Sequence, residues 1–100
     1  MCGRYELHTP RAKVIERFLV DEPAFEFAAR YNVAPIQEVA AVLRGHSRSR
    51  RLEGLSWGLI RSWSNGEGKL RPINAKAETV AEKPMFRRSV DRRRCLIPAS

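Results

Sequence analysis

Apolar and polar positions change period several times along the chain. From Cys2 to His8 (CGRYELH), Tyr5 and Leu7 alternate with Arg4 and Glu6, the pattern of a half-buried strand. Thr9-Pro10 predicts a helix start, with a hydroxyl cap followed by proline in the first turn. Ala12, Val14, Ile15, Phe18 and Leu19 give that helix an apolar face to about Val20, and Asp21-Glu22-Pro23 ends it. Residues 24–30 keep neither period. Tyr31 to Pro35 (YNVAP) reads as a loop entering a strand, and Val39 to Leu43 (VAAVL) as a β-like run. Arg44 to Arg51 is a basic loop or hairpin connection. Leu52 to Ile60 (LEGLSWGLI) is a second strand, in which Gly54 and Gly58 mark bulges or a close backbone approach. Ser64 to Gly68 is a turn. Ile73 to Thr79 leads into a broken helical stretch. Pro84 opens its second part, with Met85, Phe86 and Val90 on the inner face. Arg94 to Ala99 is predicted as a strand. Strands and helices mix without a regular β-α-β alternation, which favours the α+β class.

Composition narrows this picture. The chain has 100 residues, 43% hydrophobic and 30% charged, as expected of one small globular domain. No repeat, low-complexity segment or linker divides it. Two cysteines exclude a disulfide scaffold. No run approaches the ~20 apolar residues of a membrane span, and no signal-peptide pattern opens the chain. We therefore expect no membrane partner, a cytoplasmic location (at the nucleoid if bacterial) and reduced thiols. The chain stops just after an apparent strand, so residue 100 is expected to interrupt a domain. Charge is uneven: residues 1–43 carry five basic and six acidic groups, residues 44–100 fourteen and five, and the net is +8. Such a one-sided surplus suits a polyanion such as nucleic acid. A basic face that only aids solubility is the alternative.

Cys2 is the leading candidate for chemistry. Removal of Met1 would expose a 1,2-aminothiol, with reference pKa values of about 7.7–8.0 for the amine and about 8.5 for the thiol. The amine can condense with an aldehyde and the thiol can close onto the imine carbon, giving a five-membered thiazolidine. An internal cysteine cannot do this. Arg4 would favour the thiolate. Position alone also fits a small packed hydrophobe. His8 as a base for Cys2 is excluded in an extended strand, because six residues at ~3.3 Å each span ~20 Å. His46 sits in a basic loop, and Cys95 lies in an apolar run and reads as a core thiol. The spacing of these four residues gives no metal site, no Gly-rich phosphate loop is present, and no cofactor is expected. Trp57 and Trp63 flank Arg61, and Phe86 precedes Arg87 and Arg88. Aromatics between cations suit single strands, whose bases stack. We assign the exposed ring of that set to Trp63 and expect Trp57 in the core. Arg92 to Arg94 read as a solvated face with some phosphate contact.

Five ordered segments resemble the SOS response-associated peptidase family. They are Met1-Cys2-Gly3-Arg4-Tyr5, Arg30 to Pro35 (RYNVAP), Trp57 to Ile60 (WGLI), Asn74 to Thr79 (NAKAET) and Arg94 to Ser100 (RCLIPAS). The resemblance implies an α+β fold with a mixed or antiparallel sheet, or a partly open barrel, and flanking helices. Residues 1–100 would be the N-terminal portion of a single such domain. It also implies a sensor of abasic sites in single-stranded DNA. On that resemblance the initiator methionine would be removed autoproteolytically, and Cys2 would then form a thiazolidine cross-link with the ring-opened sugar. Asn74 would be the polar group near the sugar, Arg4 and Lys76 would contact the backbone or lesion, and Arg87 the backbone. Two departures stand out. The family's Asn-Ala-Arg is Asn74-Ala75-Lys76 here, which keeps the charge but loses the bidentate fork. The family's later glutamate and histidine, which would assist proton transfer by ~10²–10⁴-fold, are absent.

Two other readings stay open. Class II glutamine amidotransferases also begin with a processed Met-Cys-Gly, in which the free amine serves as base for the thiol. A plain single-stranded nucleic-acid-binding module would show salt-sensitive affinity independent of Cys2.

Overall fold

The computed structural model describes residues 3–45, 48–59 and 71–100, and they are α+β. The Ser64–Gly68 turn, His46, Trp63 and Cys2 lie outside the described residues. The chain divides into two compact units, one of residues 3–57 with 95–100 and the other of residues 58–94.

In the first unit, β1 (Tyr5–Leu7) pairs antiparallel with β3 (Arg30–Val33), with Tyr5 opposite Val33 and Leu7 opposite Arg30. The register shifts between these pairs, because two steps along β1 span three steps along β3. A second sheet has the order β2-β5-β4. There β4 (Glu38–Arg44) and β5 (Arg50–Ser56) form a regular hairpin, and β2 (Glu22–Pro23) lies parallel to β5. Val39 to Val42 are all buried, so β4 is covered on both faces, as its unbroken apolar run requires. The core joins Leu7, Val14, Ala40, Val42 and Leu52, with Tyr5, Ile15, Phe18, Val20, Phe25 and Phe27 packed around it.

Gly54 makes the close approach its position suggested. A Cβ there would stand 2.4 Å from Cε1 and 2.6 Å from Cδ1 of Phe25. The Phe25 ring therefore lies directly over the β5 backbone. Gly58 adopts φ 132°, open to glycine and strained for any other residue.

Three expectations are corrected. Thr9 is not the helix cap. Helix α1 (Arg11–Arg17) is capped by Pro10 without a side-chain hydrogen bond, because the Thr9 hydroxyl is engaged with Ser100 Oγ at 2.9 Å. The helix ends at Arg17 rather than near Val20. Leu19 turns to φ 52° and is exposed, while the Val20 amide donates back to the Ile15 carbonyl. Arg94 to Ala99 form no strand. Leu96 makes one antiparallel bridge with Val42, and the Ser100 amide donates to the Glu6 carbonyl at 2.8 Å, so this segment ties β4 to β1.

In the second unit, Leu59 N–H donates to the Pro72 carbonyl at 2.9 Å and the Arg71 guanidinium to the Gly58 carbonyl at 3.1 Å. Turns follow, then α2 (Pro84–Arg92), which starts with proline at its first position as predicted. Met85, Phe86 and Val90 are half-buried, while Arg87, Arg88 and Asp91 are exposed. Among the described residues, no helix is long and apolar enough to cross a membrane.

Candidate functional site

Strand alternation builds the site around β1. Tyr5 and Leu7 face the core, so Arg4, Glu6 and His8 face outward and are exposed. Arg4 Nη1 donates to Asn32 Oδ1 at 3.0 Å, fastening the start of the chain to β3. Tyr5 packs on Trp57 with ring centroids 5.8 Å apart and planes tilted by 54°. Trp57 is half-buried rather than fully in the core, and backbone hydrogen bonds to Ile36 and Gln37 hold it at the end of the hairpin. Residues of the first, second and third of the five segments thus meet within one unit. The fifth, through Ser100, closes on β1, where its amide donates to the Glu6 carbonyl. Its hydroxyl accepts from the His8 and Thr9 amides at 3.0 and 3.1 Å.

The remaining predicted residues lie in the second unit. Asn74 and Lys76 are exposed on a stretch that is neither helix nor strand, and the Lys76 carbonyl accepts the Thr79 amide at 3.2 Å. Arg87 is exposed on α2. The catalytic candidate Cys2 and the stacking candidate Trp63 lie outside the described residues.

Cys95 is exposed, not a core thiol, because the segment around it touches β4 at one bridge only. Desolvation by the part of its surroundings that does pack still pushes the thiol pKa above its ordinary value. That favours the protonated, unreactive form. Asn32 was missed as a site residue. Its signal was present in the Arg-Tyr-Asn segment, but pairing of that segment with β1 cannot be read from either one alone.

Residues 1–100 match the family model for SOS response associated peptidase. The chain belongs to the SOS response-associated peptidase family. Among its relatives, the abasic site processing protein YoaM of Bacillus subtilis is 43% identical over 102 residues, covering 99% of this chain and 44% of its own. The abasic site processing protein YoqW of Bacillus phage SPbeta is 42% identical, covering 99% of this chain and 45% of its own. The chain therefore spans less than half the length of these family members. A crystal structure of a protein from Bordetella bronchiseptica has the same fold, with a TM-score of 0.75 at 24% identity, over 98% of this chain and 48% of that one.

Proposed function

We propose that this chain is the N-terminal portion of one family domain that captures abasic sites in single-stranded DNA through Cys2. Hydrolysis of the Met1–Cys2 peptide bond frees the amine. The amine attacks the C1′ aldehyde of the ring-opened sugar, and water leaves as the imine forms. The Cys2 sulfur then bonds to the imine carbon while its proton passes to the nitrogen, which closes the thiazolidine. Arg4 and Lys76 hold the phosphates beside the lesion, Asn74 hydrogen-bonds the sugar, Arg87 follows the backbone and Trp63 stacks on a base. The reaction needs no metal or cofactor and belongs in the cytoplasm with the DNA.

The observation that carries this reading is the Arg4–Asn32 hydrogen bond. It holds a cation two residues along the chain from Cys2, which supports the reading of Arg4 as a phosphate contact. The names of the relatives, both abasic site processing proteins, support the same substrate class.

A denaturing gel tests it. The chain, its mass checked for loss of Met1, is mixed with single-stranded DNA carrying one abasic site. Cys2→Ala and intact DNA run beside it. A heat-resistant band that requires both Cys2 and the lesion is expected. A band that persists with Cys2→Ala overturns the proposal, as does no band from a chain with free Cys2.

A further inference from the structure

On the outer face of β1 and β3, the His8 imidazole lies parallel to the Tyr31 ring, with centroids 5.1 Å apart and planes 11° from coplanar. Glu6 Oε1 stands 3.4 Å from His8 Nε2 and gives the imidazole a second neighbour. Tyr31 nevertheless keeps 71% of its surface exposed. A ring so exposed adds little to the core, yet this one is fixed in orientation. Its strand is anchored as well, since the neighbouring Arg30 guanidinium donates to the Glu38 carbonyl and to Gln37 Oε1. On the other side of Tyr31, Asn32 holds Arg4. An aromatic plane and a cation are therefore held by adjacent residues of β3, Tyr31 and Asn32, against His8 and Arg4 at the two ends of β1. Single-stranded nucleic acid is bound by this combination, with the cation taking the phosphate and the ring taking a base. A plane already ordered loses little freedom when a base settles on it.

We propose that Tyr31, backed by His8, is the stacking platform for a nucleobase next to the abasic residue. The inference deepens the cross-linking reading and rests on it for the identity of the strand. Arg4, two residues from Cys2, sets the spacing: the trapped sugar has no base to stack, so the platform serves its neighbour.

The test is fluorescence anisotropy with two labelled single strands. Both carry a central tetrahydrofuran in place of the abasic sugar. One has ordinary bases on either side, and in the other the flanking nucleotides also lack bases. On the base-bearing strand, Tyr31→Ala is expected to weaken binding about 5- to 150-fold, the range for one lost stack. Tyr31→Phe should hold wild-type affinity, and His8→Ala should lose less than Tyr31→Ala. On the baseless strand, wild type and Tyr31→Ala should bind alike. Equal affinities on the base-bearing strand overturn the platform, and so does an equal loss on both strands. The adduct gel separates this from failure of the wider reading. A Cys2-dependent band with no effect of Tyr31→Ala on binding sinks the platform alone. Base-dependent loss with no band sinks the cross-link and leaves the platform standing.

Discussion

Gly54 shows what one residue can dictate. Its missing Cβ is the space that the Phe25 ring fills, and Glu38 Oε1 would also lie 2.8 Å from a methyl there. Phe25 is half-buried against the core and cannot withdraw without uncovering it. Gly54→Ala is therefore expected to destabilise the fold by about 1–3 kcal/mol, the usual cost of overpacking. Urea unfolding should show a lowered midpoint, and adding Phe25→Leu should recover part of the loss. Full additivity of the two changes would show that the contact does not limit substitution. This glycine was legible in the sequence, because an interior strand glycine has few other reasons to exist. Thr9 was not. Its hydroxyl had a local use as a cap, and the partner that takes it, Ser100, is 91 residues away. Cys95 misled for the same reason: an apolar local run does not reveal that its segment meets the sheet at a single bridge.

Elements were legible where their period was clean. The β4–β5 hairpin and both helices follow from alternation, an apolar run and proline placement. But β5 runs from Arg50 to Ser56 and not from Leu52 to Ile60, because pairing with β4 reaches into the basic segment, and α1 stops at Arg17. β3 was read only as a loop entering a strand, since Arg30, Tyr31 and Asn32 offer no buried position and only Val33 reaches the core. Pairing with β1 makes it a strand, and that is a long-range fact. The second helix carries a different weakness. It has nine residues, none buried, and its cap is Lys83, which offers no acceptor to the first-turn amides and sets a positive charge at the positive end of the helix dipole. Lys83 already has the extended backbone that a capping side chain uses, at φ −63° and ψ 131°. Lys83→Asp should therefore stabilise α2 by about 1 kcal/mol. Amide hydrogen exchange at Arg88 to Val90 should slow roughly fivefold. No slowing would mean that the turn before Pro84, rather than the cap, limits the helix.

At the scale of the whole molecule, charge and structure divide along different lines. The sequence put the basic surplus after residue 43, at net +9, and the division into two units shares that surplus between them. Residues 58–94 carry ten basic and four acidic groups, net +6, while the rest of the chain is +2. Asn74, Lys76 and Arg87 all belong to that basic unit, whereas Arg4 belongs to the nearly balanced one. If Lys76 and Arg87 meet phosphates, each releases counterions, and the affinity for single strands falls with salt by ~0.7 in log K per log salt for each contact. Lys76→Ala and Arg87→Ala should each lower that slope by about 0.7 while weakening binding alike for every sequence. Arg17, exposed at the end of α1 in the balanced unit, supplies the control, and Arg17→Ala should leave the slope unchanged. Lys76→Arg should keep the slope, because the charge is the same, yet tighten binding about fivefold by restoring the planar fork. The slope counts charges and the affinity at fixed salt reports geometry, so the two together separate a phosphate contact from a merely basic surface. A slope that ignores both Lys76 and Arg87 would assign the surplus to solubility and leave Arg4 as the cation of the site.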